Sequence, residues 1–134
     1  MTAETDTRSM AAGEAMHAEL AAREPLFHRL EFGTTRDDFG RMTAPEFWEV
    51  GASGQIYSRA FVLDTLEARH REPAAAEPLG VSDFRCQQVA TDLFLATYTL
   101  DQSGRITRRA TLWRRAAEGW QAVYHQGTVV ADGP

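Results

Sequence analysis

Two side chains, His125 and Tyr57, are the candidates for acid–base catalysis. Imidazole titrates near neutral pH, so a histidine in a pocket can take up or release a proton there. A tyrosine hydroxyl can donate a hydrogen bond into a cavity. Each residue also has a structural interpretation. His125 fits a strand histidine packed at a subunit interface, and Tyr57 is spaced to pack against Val62 in a hydrophobic staple before a helix.

Arg109 is the candidate for holding an anionic group, because a planar guanidinium matches a carboxylate in a bidentate pair. An ion pair with Glu24 or Glu31 would explain this arginine equally well. Aromatic side chains predicted near it could stack on a flat ligand or form plain core. The predicted ligand-binding residues are Trp48, Tyr57, Tyr98, Arg109, Thr111, Trp113, Tyr124 and Gln126.

Glu49 and Cys86 are two further reactive side chains that the pattern favours as structural. Glu49 could be a buried base with a raised pKa. Strand alternation with Trp48 and Val50 facing inward would instead point Glu49 outward. Cys86 has no neighbouring histidine in the sequence to activate it, so a small buried hydrophobe is the favoured interpretation.

The sequence predicts no metal and no organic cofactor. His17, His28, His70 and His125 lack metal-ligand spacing, and no phosphate-cradling glycine motif is present. The formal net charge is −5 and every cation is an arginine. An acidic domain is a poor candidate for binding nucleic acid or anionic membrane surfaces, so we expect neither partner.

The length of 134 residues predicts a single domain. We expect a frayed N-terminus over residues 1–11, one α+β domain over 12–130 and a C-terminal tail over 131–134. The single cysteine allows no intrachain disulfide, and residues 1–13 carry no apolar run typical of a signal peptide. These features predict a cytoplasmic location.

Helices are predicted first along the chain and strands afterwards. An N-terminal helix is expected from about residue 12, with Pro25 either kinking it or starting a new turn, and Gly33 ending the segment. Thr35 and Asp38 form an approximate capping box for a short helix closed by Pro45. Ser58 is the clearest N-cap. The remaining predicted elements are a strand over 46–50, a short arm over 55–57, a helix over 59–71, a loop over 72–80, and strands over 84–90, 93–100, 106–115 and 120–130.

Two-residue turns at 103–104 and 118–119 predict which strand residues face each other. Tyr98 should lie opposite Arg109, and Trp113 should lie between Phe94 and Tyr124. Thr111 should then lie opposite Gln126. The sheet face that carries these residues, here called the aromatic face, is expected to meet the helices. It would form a partly apolar cavity with a few polar groups, the usual form of a small-molecule site. The other face carries Leu95, Leu112, Val123, His125 and Val129, and its apolar character predicts a homodimer through the sheet.

Two segments resemble the nuclear transport factor 2-like superfamily, and most closely its domain of unknown function 4440 branch, which is related to the SnoaL-like proteins. The segments are FWEVGASGQIYSR over 47–59 and RATLWRR plus GWQAVYHQGT over 109–115 and 119–128. The resemblance implies a cone-shaped curved antiparallel sheet wrapped around N-terminal helices, often in a homodimer. It leaves activity open, because this superfamily includes isomerases, dehydratases, cyclases, hydrolases and non-enzymatic association domains.

None of the superfamily's catalytic patterns transfers residue by residue. The isomerase pattern needs a carboxylate opposite a tyrosine and an acid, and no residue aligns to it. Arg109 could supply the arginine of the epoxide hydrolases, but no acid lies on its predicted face. The histidine and tyrosine of the dehydratases would be His125 and Tyr124, which point to opposite faces unless the strand is bulged.

Three functions therefore stay open. The leading expectation is a homodimer that binds a small apolar or aromatic molecule, with a carboxylate held at Arg109. The alternatives are a cofactor-independent SnoaL-like enzyme, and an association module that fills the cavity with its own side chains.

Overall fold

The computed structural model describes residues 13–71 and 79–131. The predicted frayed segment 1–11, residues 72–78 of the predicted loop and residues 132–134 of the predicted tail lie outside these ranges. The elements are helix α1 over 13–21, a 3-10 turn Leu30–Phe32, helices α2 Arg36–Arg41 and α3 Arg59–Arg71, and strands β1 Thr43–Val50, β2 Ile56–Ser58, β3 Leu79–Ala90, β4 Leu93–Gln102, β5 Arg105–Ala116 and β6 Gly119–Val129.

The strands form one sheet in the order β2-β1-β6-β5-β4-β3. The antiparallel connection of β3 through β6 confirms the predicted meander. Strand β1 pairs in parallel with β6, a closure that local patterns do not predict. The helices cover one face of this curved sheet, which we call the inner face, and the predicted α+β class is confirmed.

The helices follow their capping signals. Thr35 and Asp38 form the predicted capping box of α2. The Ser58 hydroxyl accepts a hydrogen bond from the Phe61 amide at 3.2 Å, and α3 buries Val62, Leu63 and Leu66 against the sheet. Several bounds differ from the prediction: β1 begins at Thr43 instead of residue 46, and β3 begins at Leu79, inside the predicted loop, instead of at residue 84. Helix α2 ends at Arg41, and Pro45 lies inside β1 instead of closing the helix.

The N-terminal helix is shorter than its apolar spacing indicated. Helix α1 ends at residue 21, and Pro25 begins a new turn in which the His28 amide donates to the Pro25 carbonyl at 3.0 Å. Gly33 stops the following 3-10 turn with φ 129°, as its position predicted. No helix in the described ranges is long and apolar enough to cross a membrane.

A β-bulge at Val123 changes the predicted register of β6. The pairs Tyr98–Arg109 and Phe94–Trp113 form as predicted. The predicted pairs Trp113–Tyr124 and Thr111–Gln126 are wrong, because Trp113 lies opposite Ala122 and Thr111 opposite His125. One extra residue in a strand reverses the faces of all residues beyond it. His125 therefore lies on the inner face, and Tyr124 and Gln126 lie on the outer face.

A fully buried carboxylate, Glu24, joins the turn after α1 to the inner face. Its Oε1 accepts hydrogen bonds from the Tyr98 hydroxyl at 3.0 Å and the Leu26 amide at 2.8 Å, and its Oε2 accepts one from Trp113 Nε1 at 3.0 Å. Thr111 makes a further side-chain hydrogen bond to it. These contacts hold the N-terminal segment over β4 and β5, where Leu20 and Leu26 complete the core.

We predict that Glu24→Ala destabilises the protein by about 3 kcal/mol or more, because it leaves several buried donors without an acceptor. Urea unfolding of the purified variant measures this. The matched control is Glu46→Ala, which removes an exposed carboxylate from an ion pair with Arg114 and should cost far less. Equal losses in the two variants would contradict the anchoring role of Glu24.

Candidate functional site

A cavity of about 510 Å³ lies between α3, the turn after α1 and one end of the inner face. Its helix-side wall is mostly apolar apart from Thr65 and Arg69, and its sheet-side wall is polar and charged. The lining residues are Leu26, Phe27, His28, Glu49, Gly51, Ala52, Ser53, Tyr57, Phe61, Val62, Thr65, Leu66, Arg69, Gln102, Arg105, Arg109 and His125. Such a combination can hold an organic molecule by its apolar part and orient its polar groups.

Arg109 enters the cavity from β5 and is fixed by uncharged partners. Its Nε donates to the Thr107 hydroxyl at 3.0 Å, and its Nη1 lies 3.4 Å from His125 Nε2. Its guanidinium crosses β6 at Gly127, where an added Cβ would lie 3.4 Å from Cζ. Among the residues that the structure describes, no carboxylate forms an ion pair with Arg109. The alternative of a salt bridge to Glu24 or Glu31 is therefore not what the structure has.

His125 connects Arg109 to the buried Glu24 through Thr111. Its Nδ1 lies 2.8 Å from Thr111 Oγ1. Because a guanidinium can only donate, we assign His125 Nε2 as the acceptor, so Nδ1 carries the proton and donates to Thr111. The Thr111 hydroxyl is then free to donate to Glu24. The result is a directed chain of hydrogen bonds from the cavity into the core.

The low pKa of His125 argues against a role as a general base. Burial, together with the charges of Arg109 and His28, lowers its pKa to about 3. A base whose conjugate acid is this strong accepts a proton poorly near neutral pH. His125 is therefore a neutral hydrogen-bonding group at the wall of the cavity. Burial also raises the pKa of Glu24, while its hydrogen-bond donors lower it.

Glu49 faces the cavity, so the prediction that it points outward was wrong. Phe47 is buried in the core and Trp48 is 44% exposed, which sets the alternation of β1 one residue away from the expected phase. Glu49 lies opposite His125 on one neighbouring strand and Tyr57 on the other. Burial raises the pKa of the Glu49 carboxyl, and the positive charges of Arg109 and Arg69 lower it.

Tyr57 lines the cavity where β2 meets α3. Its ring stacks on Phe61 with centroids 5.0 Å apart. A Cβ at Gly51 would lie 2.9 Å from Tyr57 Cε2, so the ring position requires a glycine there. The Gly51-to-Gly54 turn that the sequence singled out thus shapes this wall.

The structure separates the predicted ligand-binding residues into three groups. Tyr57 and Arg109 line the cavity together with the catalytic candidate His125. Tyr98, Thr111 and Trp113 are buried beneath it and bond to Glu24. The third group lies on the outer face and consists of Trp48, Tyr124 and Gln126, with Trp48 and Tyr124 in ring contact at 4.6 Å.

The sequence analysis did not place three charged residues in the cavity, namely Glu49, Arg69 and Arg105. Glu49 was predicted to face outward because the alternation of β1 was taken one residue out of register. Arg69 and Arg105 lie at the ends of their elements. Arg69 lies seven residues after Val62 on α3, and this spacing is a signal that could have placed it on the inward side. In the described part of the chain, no three His, Cys, Asp or Glu side chains converge in a way that could hold a metal ion.

A second, more open hollow of about 580 Å³ lies on the sheet, with Asp83, Arg85, Arg108, Gln126 and Thr128 in its lining. Its cross-strand rows, such as Thr97–Ala110–Gln126, belong to the outer face. It lacks the apolar helix wall of the inner cavity, which we therefore take as the candidate site.

No protein-family model matches the sequence, and no curated protein does. Solved structures do match the fold. A proposed dehydratase of the nuclear transport factor 2-like family from Streptomyces avermitilis superposes with a TM-score of 0.69 at 15% identity, covering 92% of this chain and 99% of that one. A nuclear transport factor 2-like protein from Rhodospirillum rubrum, of unknown function in nutrient uptake, superposes at 0.62 with 17% identity, over 87% and 98% of the two chains.

A proposed calcium/calmodulin-dependent kinase II association domain from Exiguobacterium sibiricum is similar at a TM-score of 0.62 and 14% identity, covering 88% of this chain and 92% of that one. These likenesses show that the chain has the nuclear transport factor 2-like fold, the architecture that the sequence resemblance implied. At such identities they show the fold alone.

We predict that His125 makes stability fall as the pH is lowered. The pKa of this imidazole is about 6.5 in the unfolded chain and about 3 in the folded protein. Between these pH values protonation therefore favours the unfolded chain. His125→Asn keeps a nitrogen near Thr111 and should remove a slope of up to about 1.4 kcal/mol per pH unit. Urea unfolding across pH 4 to 7 measures it. The control is His70→Asn, which removes an exposed imidazole. An unchanged slope in His125→Asn would refute the assignment.

Proposed function

We propose that the protein binds a small organic molecule in the inner cavity. The observation that carries this proposal is an open space of about 510 Å³ with a mostly apolar helix wall and a charged sheet wall. An apolar or aromatic ligand part would lie against Phe27, Phe61, Val62 and Leu66. The open volume speaks against an association module whose own side chains fill this space.

A homodimer through the outer face is part of this proposal. Leu95, Leu112, Tyr124 and Trp48 lie side by side across β4, β5, β6 and β1, and we call them the outer row. Trp48 is 44% exposed although its indole is large and apolar. Burying this row against a second copy would remove apolar surface from water.

Membership of the domain of unknown function 4440 branch and a cytoplasmic location are also proposals. The branch is supported by the resemblance of the segments 47–59, 109–115 and 119–128. A cytoplasmic location is supported by the single cysteine, which allows no intrachain disulfide.

A cofactor-independent enzyme is the second candidate, and one observation favours it. Glu49 is a carboxylate at the cavity wall whose pKa is raised by burial, the usual condition of a general base. Tyr57, its cross-strand neighbour, can donate a hydrogen bond to a substrate oxygen. The proposed dehydratase with the same fold supports this class of reaction only by analogy.

Native mass spectrometry of the protein as purified tests the binding function. We predict a bound mass that leaves on activation, because the cavity is open and polar groups converge on it. Thr65→Trp should fill the cavity and remove this mass, whereas Ala68→Trp, at an exposed site on the same helix, should retain it. A bare protein that also shows no shift with any of a library of aromatic compounds would contradict the proposal.

The same spectra test the dimer, expected at twice the chain mass of 14.9 kDa. Leu112→Arg should yield monomers, because it places a charge in the centre of the outer row. Sedimentation that shows only monomers of the wild-type protein at micromolar concentration would refute it.

If the molecule found in the cavity is turned over, Glu49→Gln should lower the rate by about 10²–10⁴-fold, the usual contribution of a general base. Glu46→Gln, on the same strand but exposed, should leave the rate unchanged. Turnover that survives in Glu49→Gln would exclude Glu49 as the base.

A further inference from the structure

The charges at the cavity are unbalanced in an otherwise acidic chain. Arg69, Arg105 and Arg109 line it, and Glu49 is the one carboxylate among the described lining residues. The whole chain has a formal net charge of −5. Since low-dielectric walls focus the field of one sign of charge, this cavity attracts anions.

Arg109 is the arginine best prepared to bind an anion. Thr107 and His125 fix its guanidinium without neutralising it, because both are uncharged. The neighbouring carboxylate of Glu49 acts on it only through space, since none of the ion pairs in the described ranges joins the two. An incoming carboxylate could therefore form the bidentate pair that Arg109 lacks.

A carboxylate bound at Arg109 changes the surroundings of Glu49 in two ways. It brings a second negative charge close to the Glu49 carboxylate, and it displaces water from a side chain that is already half-buried. Both effects disfavour the ionised form, as they do wherever two carboxylates share one site. The pair is relieved when one of the two carboxylates takes up a proton.

We propose that the cavity binds a small organic carboxylate at Arg109 together with one proton, which Glu49 takes up. This inference rests on the proposed binding function and names its ligand class. The charges balance, because the anion and the proton enter together and the net charge of the site is unchanged. A neutral ligand of the same shape leaves Glu49 ionised and takes up no proton.

The other charged and titratable groups around Glu49 are assigned as follows. Tyr57 faces it from β2, His125 from β6, Arg105 and Arg109 from β5, Arg69 from α3 and His28 from the turn after α1. The arginines keep their charge at every pH used here. His125 stays neutral well below pH 5, because its pKa is about 3. His28 is the other imidazole that lines the cavity, so the experiment includes a variant of it.

The test is isothermal titration calorimetry of the full-length protein with 1-naphthoate at pH 5.5, 6.5 and 7.5. Each pH is measured in two buffers of different ionisation enthalpy, so that the protons taken up per bound ligand are counted directly. We expect uptake approaching one proton, and a Kd that rises by up to about tenfold per pH unit where uptake is complete. 1-Naphthalenemethanol, a neutral analogue, should bind with no uptake and a constant Kd.

Three variants assign the proton. Glu49→Gln should abolish the uptake and tighten naphthoate binding at pH 7.5, because the competing negative charge is gone. Glu46→Gln is the matched control on the exposed side of β1 and should behave as the wild-type protein does. His28→Gln should retain the uptake. Arg109→Gln should lose naphthoate binding and keep that of the neutral analogue.

Several results would overturn the proposal. Naphthoate binding without proton uptake in the wild-type protein would do so whatever the variants show, including the case in which Glu49→Gln fails to fold. So would uptake that persists in Glu49→Gln or disappears in His28→Gln. Binding of the neutral analogue alone would overturn the carboxylate inference and leave the proposed function standing. Failure of both probes, with a bare native mass spectrum, would remove the proposed function as well.

Discussion

The candidate site depends on the hydrogen bonds that the buried Glu24 carboxyl group accepts. It accepts hydrogen bonds from Tyr98 on β4 and Trp113 on β5 and from the amide of Leu26 in its own turn. Removing a carboxylate from water is costly unless donors replace the lost hydration. Because these donors come from two strands and one turn, Glu24 can be satisfied only when the N-terminal segment has closed over the sheet. The same closure brings Leu26, Phe27 and His28 to the cavity wall.

The influence of Glu24 extends to the cavity through uncharged groups. Thr111 bonds to Glu24 and to His125, and His125 reaches the guanidinium of Arg109. Each hydrogen bond fixes the direction of the next. The guanidinium can only donate, so the imidazole accepts from it at one nitrogen and donates to Thr111 from the other, and the Thr111 hydroxyl then donates to Glu24. A buried carboxyl group in the core thereby orients a cation at the site without forming an ion pair with it.

Local sequence signals predicted the elements well, and long-range geometry decided the site. The capping box at Thr35, the N-cap at Ser58 and the pairing of Tyr98 with Arg109 follow from short-range rules, and the structure has all three. The bulge at Val123 could not be predicted, because no glycine or proline marks it and its register depends on how β6 meets β1. Because of this bulge, His125 instead of Tyr124 lies on the inner face.

The phase of β1 was ambiguous for a different reason. Phe47 and Trp48 are both large aromatics, so alternation alone allows either set to face inward. In the structure Phe47 packs in the core with Val62 and Leu66 of α3, and the alternation of β1 then places Glu49 on the inner face. The role of Glu24 was also beyond sequence reasoning, because its donors Tyr98 and Trp113 are distant in the chain and reach it only through the curvature of the sheet.

The two inward-facing glutamates, Glu24 and Glu49, have different roles. Glu24 has hydrogen-bond donors at both oxygens and is fully buried. Within the described ranges no hydrogen bond ends on the Glu49 carboxylate, and its stabilisation comes from the charges of Arg109 and Arg69. A carboxylate held by donors is fixed by the fold, whereas one balanced by cations responds to any ligand that changes those charges. Glu49 is therefore the group in this cavity whose protonation a bound molecule can control.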